Sequence, residues 1–344
     1  MIAFRQIFAR PPFDSPWVHS VIARYALAAW FSVESVLGVV QVLRDPTYLL
    51  FDGRLYLEAT RTWLAGGNPW DVQIAGNYFA APPPSLLPLA PLALLPVDLG
   101  LVVLAVVVAI AAIATVRLLR LPWWWLLFPP LVQSVLAANV QALLVPLILL
   151  PGGALAATLK VYAGLPLVIL GRWRSLVLFA AIVVMTIPLL PWSTYIADLS
   201  IITGRLAAQS KFTLPPLFLI LVAPLVLVAL VVVGRQRSAW LIVPAIWPSQ
   251  QFYYGTFAMP ARSKIAAALI ALPVPGNGLL ALGALALVSL WHDDRRDWRA
   301  YLDRWRELPD ANGDGSYTPI TGEYSQGTTM GLGAWRHPTD RVGP

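Results

Sequence analysis

The chain has no cysteine, only three histidines and few charges: Asp, Glu, Lys and Arg make up 12% of its 344 residues. The absence of cysteine excludes disulfides, thiolate metal centres and cysteine nucleophiles, and it leaves the redox compartment open. With so few histidines, a histidine metal cluster is not expected. No glycine-rich loop of the kind that cradles nucleotide phosphates follows a strand-like run. No internal repeat suggests the inverted halves of a transporter. The first twenty residues, with Arg5, Arg10, Pro11, Pro12 and Asp14, have neither a compact apolar core nor a small-residue cleavage site, so no cleaved signal peptide is expected.

What is abundant is hydrocarbon: 58% of residues are hydrophobic, far above the usage of soluble domains. In a bilayer core every backbone group needs an internal partner, which restricts the spans to helices or a closed barrel. Long Leu/Val/Ala/Ile runs without period-2 alternation select helices, so the expected fold is all-α, a polytopic transmembrane bundle. Ten apolar runs stand out, at 21–43, 78–95, 99–116, 123–136, 140–150, 153–170, 176–190, 214–233, 239–247 and 265–290. Those at 123–150 and 239–247 are short, and a half-helix pair or a miscount belongs there. The prolines inside these runs, such as Pro129, Pro130, Pro146, Pro166 and Pro224, mark kinks rather than loops.

A net charge of +7 raises the question of nucleic acid, but the basic residues cluster at the ends of apolar runs, as positive-inside topology requires, and no nucleic-acid partner is expected. With residues 1–20 cytoplasmic, alternation puts Arg172/Arg174, Arg235/Arg237 and the 295–306 cluster on the cytoplasmic side. Segments 45–77, 192–211 and 250–264 become extracytoplasmic; Arg117 and Arg120 fall on the wrong side. The domain reading is a transmembrane unit over 21–291 with a first external loop at 44–77. An amphipathic surface helix at 292–309 and a disordered tail at 310–344 complete the chain. The tail opens like a calcium loop at Asp310–Ser316 but carries Thr321 where the bidentate glutamate belongs, and reads as a turn-rich linker.

The segment from Asp52 to Pro96 carries the most information, because it sets carboxylates and aromatics between two apolar runs. A helix-like stretch, 57–65, ends at Gly66–Gly67, and Asn68–Pro69–Trp70 forces a turn. Lying on the membrane with Tyr56, Trp63 and Trp70 at the interface, it would hold Asp52 near headgroup depth. A solvated loop carboxylate beside an aromatic belt has the same composition.

The ordered motifs DGRLYLEA at 52–59, WLAGGNPW at 63–70, FAAPP at 79–83 and LLPLAPLALLP at 86–96 continue with AANVQALL at 137–144 and LKVYAGLPLVILGRWRS at 159–175. Together they resemble glycosyltransferase family 87, over about residues 20–190. These are integral-membrane enzymes of the GT-C superfamily that use polyprenyl-phosphate sugars, typically mannose. Ala81, Ala138 and Ala163 stand where relatives usually carry tyrosine, glycine and proline. The resemblance implies transfer of a hexose from a polyprenyl-phosphate carrier to an extracytoplasmic glycolipid or glycan, with Asp52 as general base. The residue type suits the task, since an attacking sugar hydroxyl must lose a proton as the new bond forms. A lipid-phosphate leaving group needs cations, and the candidates are Arg54, Lys160, Arg262 and Lys264. Tyr56, Trp70, Asp71, Asn139, Gln141 and Tyr254 are the candidate substrate contacts. No cofactor beyond the lipid-linked donor is implied, and a divalent metal is left open, with Asp45, Asp52, Glu58 and Asp71 as its loose acidic set.

Each candidate also has a structural reading. Lys160 is the one lysine well inside an apolar run; such residues tend to face a bundle interior or a polar cavity, or else snorkel to an interface. Asn139 and Gln141 suit an interhelical amide contact as well as a sugar. Arg262 and Lys264 also suit anionic lipid headgroups. Glu34, within the first apolar run, has no obvious partner. A lipid or solute transporter, a flippase, and a non-catalytic membrane scaffold are the alternatives to an enzyme. A plasma or inner membrane location with the site on the extracytoplasmic face goes with the enzyme reading.

Overall fold

A computed structural model describes residues 16–210 and 214–292. Residues 25–317 form one compact unit, whose described part carries all the helices from the body of the first one onward. In the second unit, Met1–Arg24 with Thr318–Pro344, the described residues are the opening turns of the first helix. The surface helix expected after 292, the tail at 310–344 and most of the N-terminal segment lie outside the described residues.

The chain is an all-α membrane protein. Helix α1 (Pro16–Arg44) opens on a proline, which needs no intrahelical N–H there, and closes on a basic residue facing its negative end. Helices α2 (Phe51–Leu64), α3 (Val97–Leu118), α4 (Pro129–Leu136) and α5 (Gln141–Leu149) come next. Then come α6 (Gly153–Leu159), α7 (Gly164–Leu170), α8 (Trp173–Thr186), α9 (Trp192–Ala197) and α10 (Leu199–Gln209). The described part ends with α11 (Pro216–Val233), α12 (Arg235–Ile246), α13 (Lys264–Ile270) and α14 (Asn277–His292). The only strands among the described residues are a two-residue pair, Gln73–Ile74 against Asn77–Tyr78.

Three described helices, 23–44, 97–118 and 216–233, are long and apolar enough to cross a membrane; α4 and α5, bent by 117° at their junction, make a fourth if counted as one broken span. The other apolar runs are shorter or interrupted. The run at 78–95 becomes a 3-10 segment, Pro83–Leu89, and a single α-turn, Ala90–Ala93, because prolines at 82, 83, 84, 88 and 91 remove the donors a continuous helix needs. The run at 153–170 breaks at Lys160, which is extended with φ −146°. That at 265–290 breaks across Pro273–Gly276.

Arginines finish several helix ends. Arg172 donates to Ile148 O at the end of α5, Arg235 to Ile169 O at the end of α7, and Arg262 to Leu119 O just past α3, the last at 2.6 Å. Arg61 bonds Ala93 O and Leu95 O, each at 3.0 Å, and ties α2 to the turn before α3. Late helix carbonyls have no intrahelical donor, so a guanidinium there satisfies an orphan acceptor and meets the negative dipole end.

The element that matters for function is α2. Its buried positions Asp52, Leu55, Tyr56 and Ala59 follow the i, i+3, i+4, i+7 spacing of one helical face, while Arg54 and Glu58 are exposed. Its opening N–H groups dock onto the end of α4: Leu50 N donates to Leu136 O at 2.8 Å and Gly53 N to Ala137 O at 3.1 Å. This contact needs glycine at 53, since a Cβ there would lie 2.8 Å from Ala138 Cβ and 3.0 Å from Leu101 Cδ1. We expect Gly53→Ala to destabilise by about 1–3 kcal/mol, the range of overpacking, read as a lower thermal midpoint in detergent.

Candidate functional site

Asp52 is 6% exposed and sits in the first turn of α2, where the helix N-terminus favours a negative charge. Two residues with left-handed backbone flank the place where it meets α5: Leu50, φ 56°, just before α2, and Ala138, φ 49°, in the break between α4 and α5. Non-glycine residues held there store strain of roughly 1–3 kcal/mol each, and they aim Asp52 and Asn139 at each other. A positive φ at 138 is a backbone that glycine adopts without strain, whereas here it is held by an alanine.

Asn139 Nδ2 donates to Asp52 Oδ2 at 2.6 Å, and Asn139 Oδ1 accepts from Gln141 N at 2.8 Å. The second bond fixes the amide, so that its NH2 faces the carboxylate. Gln141 continues the chain: its Nε2 donates to Thr256 Oγ1 at 3.0 Å and its Oε1 accepts from Tyr162 O–H at 2.6 Å. Asn139 and Gln141 are fully buried, and the carboxylate thereby hangs on a satisfied polar network rooted in the 3-10 segment Phe252–Ala261.

In front of this network is a cavity of about 140 Å³. Asp52, Tyr56, Lys160, Tyr162, Tyr253 and Tyr254 line it, with Trp247 and Gln209 at its sides. Its aromatic wall is built on Tyr162, whose ring lies 4.6 Å from Tyr254 and 5.2 Å from Trp247 between centroids. Lys160 Nζ stands 5.0 Å over the Tyr56 ring. Being at a chain break rather than inside a helix, Lys160 projects from an apolar run without needing a helical rotamer. Gln209 Nε2 is a buried donor with no hydrogen-bond partner among the described residues, on the wall of this cavity. A concave site of aromatic and aliphatic side chains with a few convergent polar groups is the usual form of a small-ligand pocket.

Burial pushes the Asp52 carboxyl up to about 6, against the lowering effects of the Asn139 hydrogen bond and the Lys160 charge. Above that value it is an ionised base within reach of a cavity, poised near neutral pH. Removing the Asn139 donor removes one of the two groups holding the value down. Asn139→Ala therefore moves the acid limb of the activity–pH profile to higher pH, and a limb that stays in place or moves to lower pH would contradict this assignment.

The structure thus brings Asp52, Tyr56, Lys160 and Tyr254 to one cavity, with Asn139 and Gln141 directly behind its wall. The other sequence candidates lie elsewhere. Arg54 is exposed and does not line the cavity. Trp70, expected at the membrane interface, is fully buried, its Nε1 donating to Ala81 O at 3.1 Å and its ring 5.1 Å from Tyr195. Tyr56 is likewise buried rather than interfacial. Asp71 is exposed and pairs with Arg205 at 3.3 Å. Arg262 is committed to the Leu119 carbonyl, and neither it nor Lys264 lines the cavity. No group of three or more potential metal ligands occurs among the described residues, and Asp45, Glu58 and Asp71 do not line the Asp52 cavity.

Sequence reasoning missed Tyr162, Tyr253, Trp247, Gln209 and Arg205. Arg205, on α10, donates to Trp70 O at 2.8 Å, lies 4.2 Å over the Tyr78 ring, and lines an adjoining space of about 440 Å³. It places a second cation near the site. Its sequence signal is a charge on a short helix. Comparison of the chain with protein-family models, with curated proteins and with solved structures finds no match in any of the three.

Proposed function

We infer that this membrane protein is a polyprenyl-phosphate-sugar-dependent glycosyltransferase of the GT-C kind, similar to family 87, working on the extracytoplasmic side of a plasma or inner membrane with the apolar runs as its spans and half-spans. The observation that carries the reading is a buried, network-held aspartate sharing a cavity with an intramembrane lysine and an aromatic wall. Charge of both signs in a pocket with an aromatic wall suits a ligand that presents hydroxyls to one end and an anion to the other.

In the reaction, an acceptor hydroxyl oxygen attacks the anomeric carbon of the donor hexose, which the resemblance gives as mannose. The bond from that carbon to the phosphate oxygen breaks, its electron pair leaving with polyprenyl phosphate. The hydroxyl proton passes to the Asp52 carboxylate, and Asn139 keeps that carboxylate ionised and aimed. Lys160 offsets the charge on the departing phosphate, and Arg205 lines the adjoining space. One base and one displacement form no covalent sugar intermediate, so the anomeric configuration inverts.

The test is transfer by the purified protein in lipid from radiolabelled polyprenyl-phosphate mannose to a membrane extract, with the product anomer determined by NMR. Transfer with inversion is expected. Retention would overturn the single-displacement mechanism, and absence of transfer across hexose donors would overturn the enzyme reading.

A further inference from the structure

A second cavity, of about 420 Å³, lies between α1 and α4 and is lined by Glu34, Gly38, Gln41, Tyr48, Phe51 and Gln133 among others. It shares Phe51 and Gln133 with the Asp52 cavity, and the space beside Arg205 touches both. Phe51 is the residue before Asp52, so its ring stands where the two cavities meet.

Three features of this cavity point to one kind of occupant. Its rim includes Leu37, 57% exposed on an outward apolar stretch of α1 with Val33 and Val36, so its mouth opens where a membrane helix faces lipid. Its charge is the opposite of the Lys160 side: Glu34 is its one charged lining residue, and no cation lines it. A phosphate headgroup is therefore disfavoured there. Its polar groups are amides and a phenol: Gln41, seven residues and two helical turns from Glu34 on the same face of α1, then Tyr48 and Gln133. Such groups exchange hydrogen bonds with hydroxyls. Gln41, Tyr48 and Gln133 also line the space beside Arg205, and Gln133 and Phe51 line the Asp52 cavity as well. An ionisable residue kept in a membrane helix beside a cavity is a functional signal by default, which gives Glu34 a role.

We propose that this cavity is the site of an uncharged lipid with a hydroxylated headgroup, its hydrocarbon chain between α1 and α4 and its hydroxyls directed along Gln41, Tyr48 and Gln133 to Asp52. Resting on the glycosyl-transfer reading, this lipid is the acceptor, and it approaches from the membrane while the anionic donor occupies the Lys160 side. At about 420 Å³ the space is in the range of pockets that bury small ligands, ~300–1,000 Å³.

Alkyl mannosides of increasing chain length serve as probes, with Gly38→Trp as the plug. A Cβ at Gly38 meets nothing within 4 Å, so a side chain has room to extend into the cavity without displacing the helix. With the wild-type protein in lipid, the apparent KM is expected to fall at least tenfold from methyl to octyl mannoside. Gly38→Trp should abolish that chain-length gain, and Gly38→Ala should keep it. A diazirine-bearing octyl mannoside gives a readout that needs no turnover. Labelling should map to 34–42 and 129–137, be lost in Gly38→Trp, and be competed by octyl mannoside but not by octyl phosphate.

Labelling with this pattern but without transfer would support the lipid site and remove the glycosyltransferase reading. Transfer with no chain-length dependence, or labelling that Gly38→Trp leaves unchanged in a variant of wild-type thermal midpoint, would overturn the proposal while leaving the enzyme reading standing. Equal competition by octyl phosphate would overturn the uncharged-lipid assignment.

Discussion

Replacing Asp52 by asparagine is expected to lower sugar transfer by about 10²–10⁴-fold, the contribution of a positioned general base, while donor binding survives. Asparagine keeps the shape and the contact with Asn139 but has no lone pair basic enough to take the hydroxyl proton. The same substitution should make the protein more stable at neutral pH. The carboxyl is raised from 3.8 to about 6 in the folded protein, with burial as the leading cause. A raised folded value means that the stability this group contributes is fully present below about 3.8 and is lost as pH climbs through about 6. At neutral pH the ionised, buried carboxylate therefore destabilises by an amount on the order of 3 kcal/mol relative to a neutral group of the same shape. The thermal midpoint of Asp52→Asn in detergent should exceed that of wild type at pH 8, and the gap should close as pH falls towards 4. Lower activity with higher stability is the signature of a side chain kept for chemistry. A scaffold protein predicts no change in any transfer, and a purely structural Asp52 predicts a lower midpoint.

Much of this site is legible in the sequence, and the reasons are specific. Asp52 stands out as a carboxylate between apolar runs, and Lys160 as a lysine inside one. A lysine inside an apolar run is an expensive placement in a membrane, and both residues line the cavity. The end of α2 follows from Gly66–Gly67, but the sequence reads the helix from 57 whereas it begins at Phe51, so the face that carries Asp52 and Tyr56 is not legible. The partners of these residues are not legible, because roughly 80 to 200 residues of chain separate them from α2 and nothing in local pattern reports such long-range pairings. Tyr162 follows Lys160 by two residues, and a 3-10 turn, not helical periodicity, brings it to the same wall. Trp70 reads as interfacial because tryptophans often are; a single acceptor, Ala81 O, makes its burial possible.

Span counting meets a related obstacle. Hydropathy reports where hydrocarbon can go, whereas helix continuity depends on donors and backbone angles. The proline series at 82–91 interrupts a run whose apolar content alone reads as continuous, and the left-handed Ala138 lies at the break between the runs at 123–136 and 140–150, where a half-helix pair is expected. The interruption at Ala138 is also what turns Asn139 towards Asp52. The places where the simple helical reading breaks and the places where the polar groups converge are here the same residues, as expected where local rules yield to function.

Substituting Lys160 by methionine should reduce turnover of polyprenyl-phosphate mannose by about 10²–10³-fold, the scale of losing one group that stabilises developing charge. Methionine matches the length and apolar stem of lysine, so the Tyr56 ring keeps a packing partner and the fold should persist, with a thermal midpoint no lower than wild type. The loss should fall on kcat rather than KM if the cation acts mainly on the charge that develops as the sugar–phosphate bond breaks, since interactions stronger in the transition state raise kcat selectively. Arginine at 160 separates this role from one in shaping the cavity. It restores the charge but brings a larger, planar group with a fixed donor fork, so partial recovery of kcat is expected together with a raised donor KM. Equal losses in the methionine and arginine variants would assign Lys160 to cavity shape instead. Because Lys160 also lowers the Asp52 value, removing it has a second consequence that a distant structural lysine would not have: the acid limb of the pH profile moves upward in Lys160→Met, in the same direction as in Asn139→Ala. Loss of turnover accompanied by that shift would tie the phosphate-side cation and the base to one reaction centre.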